Sequence, residues 1–161
     1  MIFVTVGTHE QQFDRLLKKV DELKGNGKIL EDVFIQSGFS NYPLKNCGSS
    51  KLLSYSEMDE YIESANLVIT HGGPASFLSV LAKGKPLIVV PRKIEFEEHV
   101  NNHQVDFLDN LNQRGFSIPY INDIDELDMI IDYPAQRSKF ESNREVFNNH
   151  FKKIVQELVK G

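Results

Sequence analysis

Two short segments place an imidazole ring beside glycines and a hydroxyl group. The first is Gly7-Thr8-His9, and the second is His71-Gly72-Gly73-Pro74, with Ser76 close behind it. Glycine lets backbone amides approach a ligand closely, and the amino end of a helix favours an anion. Pro74 suits the first position of such a helix. The two segments together predict a site for a ligand that carries phosphate.

Neither segment is a standard nucleotide-binding fingerprint. Both the G-x-G-x-x-G pattern and the G-x-x-x-x-G-K-[ST] pattern are absent from the chain. The missing dinucleotide pattern also disfavours a nicotinamide-dependent oxidoreductase. Each segment alone is as compatible with a tight turn as with a site, but the presence of polar residues in both favours the site.

A third polar cluster is Glu98-His99-Val100-Asn101-Asn102-His103-Gln104. Its side chains can hydrogen-bond a sugar or a ribose. His99 and His103 are four residues apart, so they would share a helix face and suit a common metal ion. The order is not H-E-x-x-H and no third ligand is near in sequence, so we predict no metal site. Surface histidines on a solvated helix are the other interpretation.

Four apolar runs predict the buried strands that position these segments. The runs are Ile2–Val6, Val33–Gln36, Asn66–Thr70 and Leu87–Pro91. Their alternation with helical patterns predicts an α/β fold, a Rossmann-like, mostly parallel sheet with helices on both faces. The carboxyl ends of parallel strands share one edge, so we expect the polar segments to meet there. Arg92, at the end of the fourth run, would pair with a diphosphate there or lie on the surface.

Capping and periodicity predict the remaining elements. Ser56 is expected to cap one helix, and another is expected over Glu98–Asn112. Phe116–Ile121 predicts a strand at an edge, since Pro119 has no N–H to donate. A long amphipathic helix over Phe140–Lys160 would either pack across its own domain or dock a partner.

The 161 residues are expected to form a single domain, and the net charge is −5 at pH 7. No run of Lys and Arg offsets that charge, so nucleic acid is not expected as a partner. A lone cysteine, Cys47, rules out a disulfide within the chain and favours a reducing compartment. No signal peptide and no bilayer-spanning stretch is expected. Another protein would therefore have to hold the chain at a membrane.

Five motifs occur in an order that resembles a known family. They are Met1–Gln11, Ile35–Gly38, Ile69–Pro74, Gly84–Arg92 and Glu98–Gln104. They resemble the carboxy-terminal domain of family 28 glycosyltransferases. More closely, they resemble the stand-alone catalytic subunits of two-component bacterial capsule and exopolysaccharide glycosyltransferases, including β-1,4-galactosyltransferases. The soluble subunit of the eukaryotic dolichol-linked N-acetylglucosaminyltransferase is a more distant relative.

The resemblance implies the half of a GT-B fold that binds the nucleotide-sugar donor. It assigns to the diphosphate and the nucleotide cleft the residues Gly7, Thr8, Ser37 and Gly38. It assigns to the sugar diphosphate the residues His71, Gly72, Gly73, Pro74 and Ser76. It assigns to the donor sugar or ribose the residues Glu98, His99, Asn102, His103 and Gln104.

The resemblance also implies an inverting reaction that moves galactose or a related hexose from a UDP-sugar to a lipid-linked saccharide acceptor in capsule or exopolysaccharide synthesis. A membrane-associated partner subunit would supply the acceptor site and hold this cytoplasmic chain at the inner face of the membrane. No metal or cofactor is implied.

A base must activate the acceptor hydroxyl in such a reaction. His9 and His71 are the candidates, because an imidazole titrates near neutral pH; a base from the partner is the alternative. The family often has a ribose-binding glutamate in the helix after the glycine pair, where this chain has Ser79. That departure keeps open a non-catalytic, nucleotide-sugar-binding or enhancer subunit.

Overall fold

A computed structural model describes residues 1–132 of the chain. The strands are Ile2–Thr5 (β1), Val33–Gln36 (β2), Gly48–Ser50 (β3), Leu67–His71 (β4) and Leu87–Val90 (β5). The helices are Asp14–Gly25 (α1), Tyr55–Ser64 (α2), Pro74–Ala82 (α3), His103–Gln113 (α4) and Glu126–Asp132 (α5), with a 3₁₀ turn at Ile94–Phe96. The helix predicted over 140–160 lies outside the described residues.

The five strands form one parallel sheet in the order β3-β2-β1-β4-β5. The chain builds outward from β1 to β2 and β3, and then returns to the other side of β1 to add β4 and β5. The loops after β1 and β4 therefore leave the sheet in opposite directions, which opens a crevice between them. This order confirms the Rossmann-like parallel sheet and places the loops after β1 and β4 side by side at its carboxyl edge.

Successive strand residues point to opposite faces of the sheet, and each face has its own core. Val4 packs in a core that contains Leu17 of α1 and residues of α5. Phe3 packs in a second core that contains Phe77 of α3 and residues of α2 and α4. Helices thus cover both faces, as predicted, because both sets of strand side chains are apolar and must be buried.

Helix α2 begins two residues earlier than predicted, because a different serine caps it. The cap is Ser54, whose Oγ accepts a hydrogen bond from the Glu57 N–H at 3.3 Å. The Glu57 carboxylate accepts in turn from the Ser54 N–H at 2.7 Å. Ser56, the predicted cap, lies within the first turn of α2. The S-x-x-E spacing beginning at Ser54 satisfies two backbone donors and so determines the start of the helix.

The helix predicted from Glu98 starts later, at His103. The Glu98 side chain is buried and accepts from the Lys93 N–H, which holds the intervening backbone in a loop. The predicted strand over Phe116–Ile121 is reduced to a single bridge between Tyr120 and Val89 of β5. Ahead of Tyr120 the Ile118 N–H donates to the Asn112 Oδ1 at 2.7 Å and Pro119 has no N–H to donate, so the pairing with β5 stays short.

Candidate functional site

A cavity of about 460 Å³ opens at the carboxyl edge of the sheet, between the loops that follow β1 and β4. It is called the central cleft here. Its lining residues are Thr5, Gly7, Thr8, His9, Gln36, Leu53, Met58, His71, Gly73, Pro74, Ala75 and Ser76. This volume lies in the range typical of small-molecule sites, and its position at the topological switch point is where α/β sheets bind ligands.

His71, the last residue of β4, is buried and forms one wall of the cleft. The Gly73 N–H donates to its Nδ1 at 3.0 Å, so the neutral ring carries its proton on Nε2. Nε2 lies 2.9 Å from the Ser76 Oγ and donates to it. Burial, aided by the nearby Arg92 charge, lowers the pKa of His71 to about 3. The ring is therefore neutral at pH 7 and is a weak base.

Two glycines make room for this ring. A Cβ added to Gly7 would lie 2.5 Å from the His71 Nε2, and one added to Gly73 would lie 2.2 Å from the His71 Cε1. Gly7 also has a φ of +76°, a conformation that other residues rarely adopt. The glycine spacing noted in the sequence thus serves the placement of His71 as well as the approach of a ligand.

Gln104 connects the loops after β4 and β5. Its Oε1 accepts from the Gly72 N–H at 3.0 Å and from the Arg92 N–H at 2.9 Å. Its Nε2 lies 3.4 Å from the His71 Nδ1. Because the carbonyl oxygen of Gln104 is occupied by two backbone donors, this side chain holds the loop of His71 in place. A contact of its Nε2 group with a sugar stays a prediction.

Gln36, at the end of β2, was not predicted from the sequence. Its Oε1 accepts from the Thr5 Oγ1 at 2.7 Å and from the Gly7 N–H at 3.1 Å. Its Nε2 donates to the Gly7 carbonyl oxygen at 3.0 Å. A polar residue at the end of an apolar strand was the available signal. Gln36 determines the backbone position of Gly7, and Leu53 and Met58 add an unpredicted apolar wall to the cleft.

Ser37 and Gly38 lie just outside the cleft lining. The Ser37 N–H donates to the Ser50 carbonyl oxygen at 2.9 Å, which fastens the loop to β3. A Cβ added to Gly38 would approach the Gly7 carbonyl oxygen to 2.7 Å. These two residues support the Gly7 loop, and a direct contact with a nucleotide stays a prediction.

Arg92 is wholly buried, which corrects both interpretations made from the sequence. Its Nη1 donates to the carbonyl oxygens of Gln11, Gln12 and Glu98, and its Nη2 donates to that of Val6. Burial lowers the pKa of Arg92 to about 10, partly opposed by the Glu98 charge, so the side chain stays cationic at pH 7. The side chain lies outside the cleft lining and both of its Nη groups donate to backbone carbonyls, so it does not face a diphosphate in the cleft.

Glu98 was expected to face a sugar, but it is wholly buried. Its carboxylate accepts from the Arg15 Nε at 2.8 Å and from the Arg15 Nη2 at 2.9 Å. Glu98 therefore ties the loop before α4 to α1. The reason is electrostatic: a buried carboxylate needs a charged partner, and α1 supplies it.

The polar cluster at residues 98–104 reaches the cleft through a contact between two imidazole rings. The ring centroids of His9 and His99 are 4.7 Å apart, and His9 is part of the cleft lining. Burial, and then the charge of His9, lowers the pKa of His99. Asn102 and His103 are exposed, and the Asn102 Oδ1 accepts from the Ile94 N–H at 3.0 Å. Of the cluster, His99 is thus joined to the central cleft.

His9 is the remaining candidate for a base. Its Nδ1 accepts from the Gln11 N–H at 3.2 Å, so in the neutral ring the proton is on Nε2. Its role as a base stays a prediction, and it requires that proton to move first. Within residues 1–132 there is no group of three or more His, Cys, Asp or Glu side chains placed to hold a metal ion.

A model of the glycosyltransferase family 28 C-terminal domain matches residues 1–158. The chain belongs to this family. The human (Homo sapiens) UDP-N-acetylglucosamine transferase subunit ALG13 is 33% identical over 131 residues, which cover 71% of this chain and 10% of that protein. The zeaxanthin glucosyltransferase of Pseudescherichia vulneris is 42% identical over 95 residues, which cover 56% of this chain and 22% of that protein.

The crystal structure of the glycotransferase of kitacinnamycin has the same fold, with a TM-score of 0.61 at 17% identity over 92% of this chain and 39% of that one. This likeness confirms the predicted Rossmann-like α/β fold, which the chain shares with glycosyltransferases of the GT-B fold. The family 28 chain spans about a tenth and about a fifth of the two curated relatives. No helix within its described part is long and apolar enough to cross a membrane.

Proposed function

We propose that this chain is the donor-binding, catalytic subunit of an inverting glycosyltransferase. It takes a hexose, galactose or a related sugar, from a UDP-sugar and transfers it to a lipid-linked saccharide acceptor in capsule or exopolysaccharide synthesis. A membrane-associated partner subunit provides the acceptor site and holds the chain at the inner face of the membrane. The observation that carries this proposal is the central cleft, where the first turn of α3 and the Gly7 loop face one cavity.

The first turn of α3 supports diphosphate binding. The helix begins at Pro74, and its amino end carries partial positive charge into the cleft. The Ser76 Oγ accepts a hydrogen bond from the His71 Nε2–H, so the Ser76 hydroxyl proton is left to donate to a phosphate oxygen. Donors aimed at a leaving diphosphate stabilise the charge that develops during transfer.

The other end of the cleft supports a nucleobase. Leu53 and Met58 form an apolar wall beside Gln36 and Thr5, so a flat heterocycle would find both an apolar surface and polar groups there. The proposed donor thus lies across the switch point, with the base toward Leu53 and the diphosphate toward α3.

A second candidate function is a nucleotide-sugar-binding or enhancer subunit without catalysis. Two observations favour it. His71 is neutral and hydrogen-bonded at both ring nitrogens, so it is poorly suited to accept a proton from an acceptor. Ser79, where the family often has a glutamate, donates to the Ser76 carbonyl oxygen at 2.7 Å within its own helix.

The test of the donor site is a thermal unfolding experiment with UDP. A ligand at about one hundred times its Kd stabilises the native state by about 2.7 kcal/mol, which raises Tm by roughly 5–10 °C for a chain of this size. Gly7→Ala should abolish this rise, because the new Cβ would displace His71. Gly27→Ala is the matched control, since Gly27 also has a positive φ (80°) but no atom within 4 Å of an added Cβ.

Both variants should lose stability, by roughly 1–2 kcal/mol from backbone strain. Only the Gly7→Ala variant should lose the response to UDP. An unchanged Tm of the parent chain at millimolar UDP would refute the donor site. Transfer from radiolabelled UDP-galactose in membranes that contain the partner but lack this chain separates the two candidates. A catalytic subunit is required for any transfer, whereas an enhancer subunit would bind UDP and only raise the rate of transfer that the partner carries out alone.

A further inference from the structure

Large apolar side chains are exposed on the segment between β5 and α4, called the β5–α4 loop (residues 91–102). Ile94 is 49% exposed, Phe96 is 43% exposed and Val100 is 67% exposed. The loop leaves the same edge of the sheet as the central cleft, and its His99 stacks near His9 of the cleft wall. The exposed side chains therefore lie beside the proposed donor site.

Polar contacts, the strongest of them buried, hold this loop in its conformation. The Arg92 Nη1 donates to the Glu98 carbonyl oxygen at 3.0 Å, and the Glu98 carboxylate is paired with Arg15. The Gln12 Nε2 donates to the Phe96 carbonyl oxygen at 3.0 Å. The Arg15 guanidinium also lies 4.5 Å from the centre of the Phe96 ring. The apolar side chains are thus presented by an ordered backbone, which lowers the entropic cost of binding.

The backbone of the loop is strained at its centre. Glu97 has a φ of +56°, and within residues 1–132 it is the only residue other than glycine with a positive φ. Such a conformation persists only where the surrounding contacts impose it, and it concentrates at functional segments. The strain, the buried supports and the exposed apolar groups all occur in the same short segment.

The charges beside the apolar side chains indicate what covers them. Glu95 and Glu97 are exposed within the loop, and Asp123 shares with Phe96 a neighbouring cavity of about 290 Å³. The cations here are not available to a partner: Lys93 lies 3.6 Å from Glu95, Arg15 is paired with Glu98, and Arg92 is wholly buried. The surplus charge is negative, which disfavours an anionic lipid surface and favours a basic protein surface.

We propose that the β5–α4 loop is a docking surface for a protein partner whose contact patch is apolar with a rim of Lys and Arg. The partner is the membrane-associated second subunit, so the inference rests on the proposed function and names its contact surface. Docking there would bring the acceptor site of that subunit next to the part of the central cleft that His9 lines.

The test measures the fraction of the full chain that sediments with membranes of the source organism. These membranes contain the partner subunit and support sugar transfer. The double variant Ile94→Asp/Val100→Asp should bind at least about tenfold more weakly, because two apolar contacts become buried charges. Glu95→Lys should also weaken binding, most strongly at low salt, since it removes a charge complementary to the basic rim. Leu30→Asp is the matched control, because Leu30 is 86% exposed but precedes β2 at the opposite edge of the sheet.

Protease treatment of the membranes should abolish binding. Equal binding to protein-free vesicles of phosphatidylcholine with a minor fraction of phosphatidylglycerol would overturn the proposal in favour of a lipid surface. Undiminished binding of the double variant would also overturn it. The loop variants should keep the Tm response to UDP. If the parent chain shows no such response, the donor site is refuted, but the binding of parent and variant chains to membranes can still be compared.

Discussion

His71 was a candidate for the catalytic base, but its contacts suit it to holding Ser76 and Gly73 in place. Burial keeps its ring neutral, and the contacts with the Gly73 N–H and the Ser76 hydroxyl keep its proton on Nε2. A ring in that state orients Ser76 and separates the two cleft loops. The position of His71 at the end of a strand was predictable. Its neutral state depends on burial and on the Arg92 charge, which the residues around His71 do not reveal.

The neutral state of His71 makes stability depend on pH. An unfolded histidine titrates near pH 6.5, and the folded pKa of His71 is lowered to about 3. Between these values the unfolded chain binds a proton that the folded chain does not, so stability falls as pH falls below about 6.5. From pH 7 to pH 5 the contribution of this group is about 2 kcal/mol.

The measurement is urea unfolding at pH 7 and pH 5 for the parent chain and for His71→Asn, whose side-chain oxygen can still accept from the Gly73 N–H. The parent should lose about 2 kcal/mol more than the variant over this interval. Equal losses in the two proteins would mean that His71 is protonated in the folded state, and its assignment as a neutral donor would be wrong.

Arg92 and Glu98 are two residues whose surroundings the sequence pattern predicted wrongly. Both lie where polar residues follow a strand, which is the pattern of a binding site. Their partners are far away in the chain: Arg92 bonds to Val6 and Gln11, and Glu98 bonds to Arg15. Whether a polar side chain faces a ligand or a neighbouring loop is decided by such distant partners, so the sequence pattern alone could not separate the two.

At the level of elements, the ion pair between Arg15 and Glu98 joins α1 to the β5–α4 loop. Glu98 is wholly buried and Arg15 nearly so, with a side-chain exposure of 14%. Removing one partner of a buried pair leaves the other charge unpaired, which costs about 3–5 kcal/mol. This connection therefore determines where the loop, and the apolar side chains on it, can lie.

Glu98→Gln should lower the free energy of unfolding by about 3 kcal/mol, because Arg15 would keep its charge without a buried anion. Asp125→Asn is the matched control: Asp125 pairs with Lys19 at 2.7 Å, but its side chain is 77% exposed. Its loss should cost less than about 1 kcal/mol. Urea midpoints at pH 7 give both values, and similar costs for the two variants would show that the buried pair has no special role.

Most helices and strands were predictable, because their apolar spacing reports burial on a regular surface. The starts of α2 and α4 were less accessible. At α2 the predicted cap was Ser56, but Ser54 is the serine that has a glutamate three residues later, and this pair completes the capping box. At α4 the Glu98 side chain is drawn into the interior, which removes five residues from the predicted helix.

At the level of the whole molecule, the order β3-β2-β1-β4-β5 creates the site. The alternation of strands and helices predicted a parallel sheet, and the rule that ligands bind at its carboxyl edge predicted which loops meet. The sequence did not predict the support behind those loops. Gln36 and Gln104 bridge elements that are distant in the chain, and such bridges become visible only once the strands are side by side.

This topology predicts where a donor protects the backbone from hydrogen exchange. UDP should slow exchange at the Gly7 loop and at the first turn of α3 by at least about tenfold, because bound ligand suppresses local opening in proportion to its concentration over Kd. Amides of the turns at the opposite edge, near Gly27 and Gly84, should exchange at unchanged rates, since no ligand reaches them. The measurement is hydrogen exchange with mass spectrometry on the full chain with and without UDP. Protection confined to the amino edge would place the ligand elsewhere, and uniform protection would indicate a general stabilisation in place of a site at the switch point.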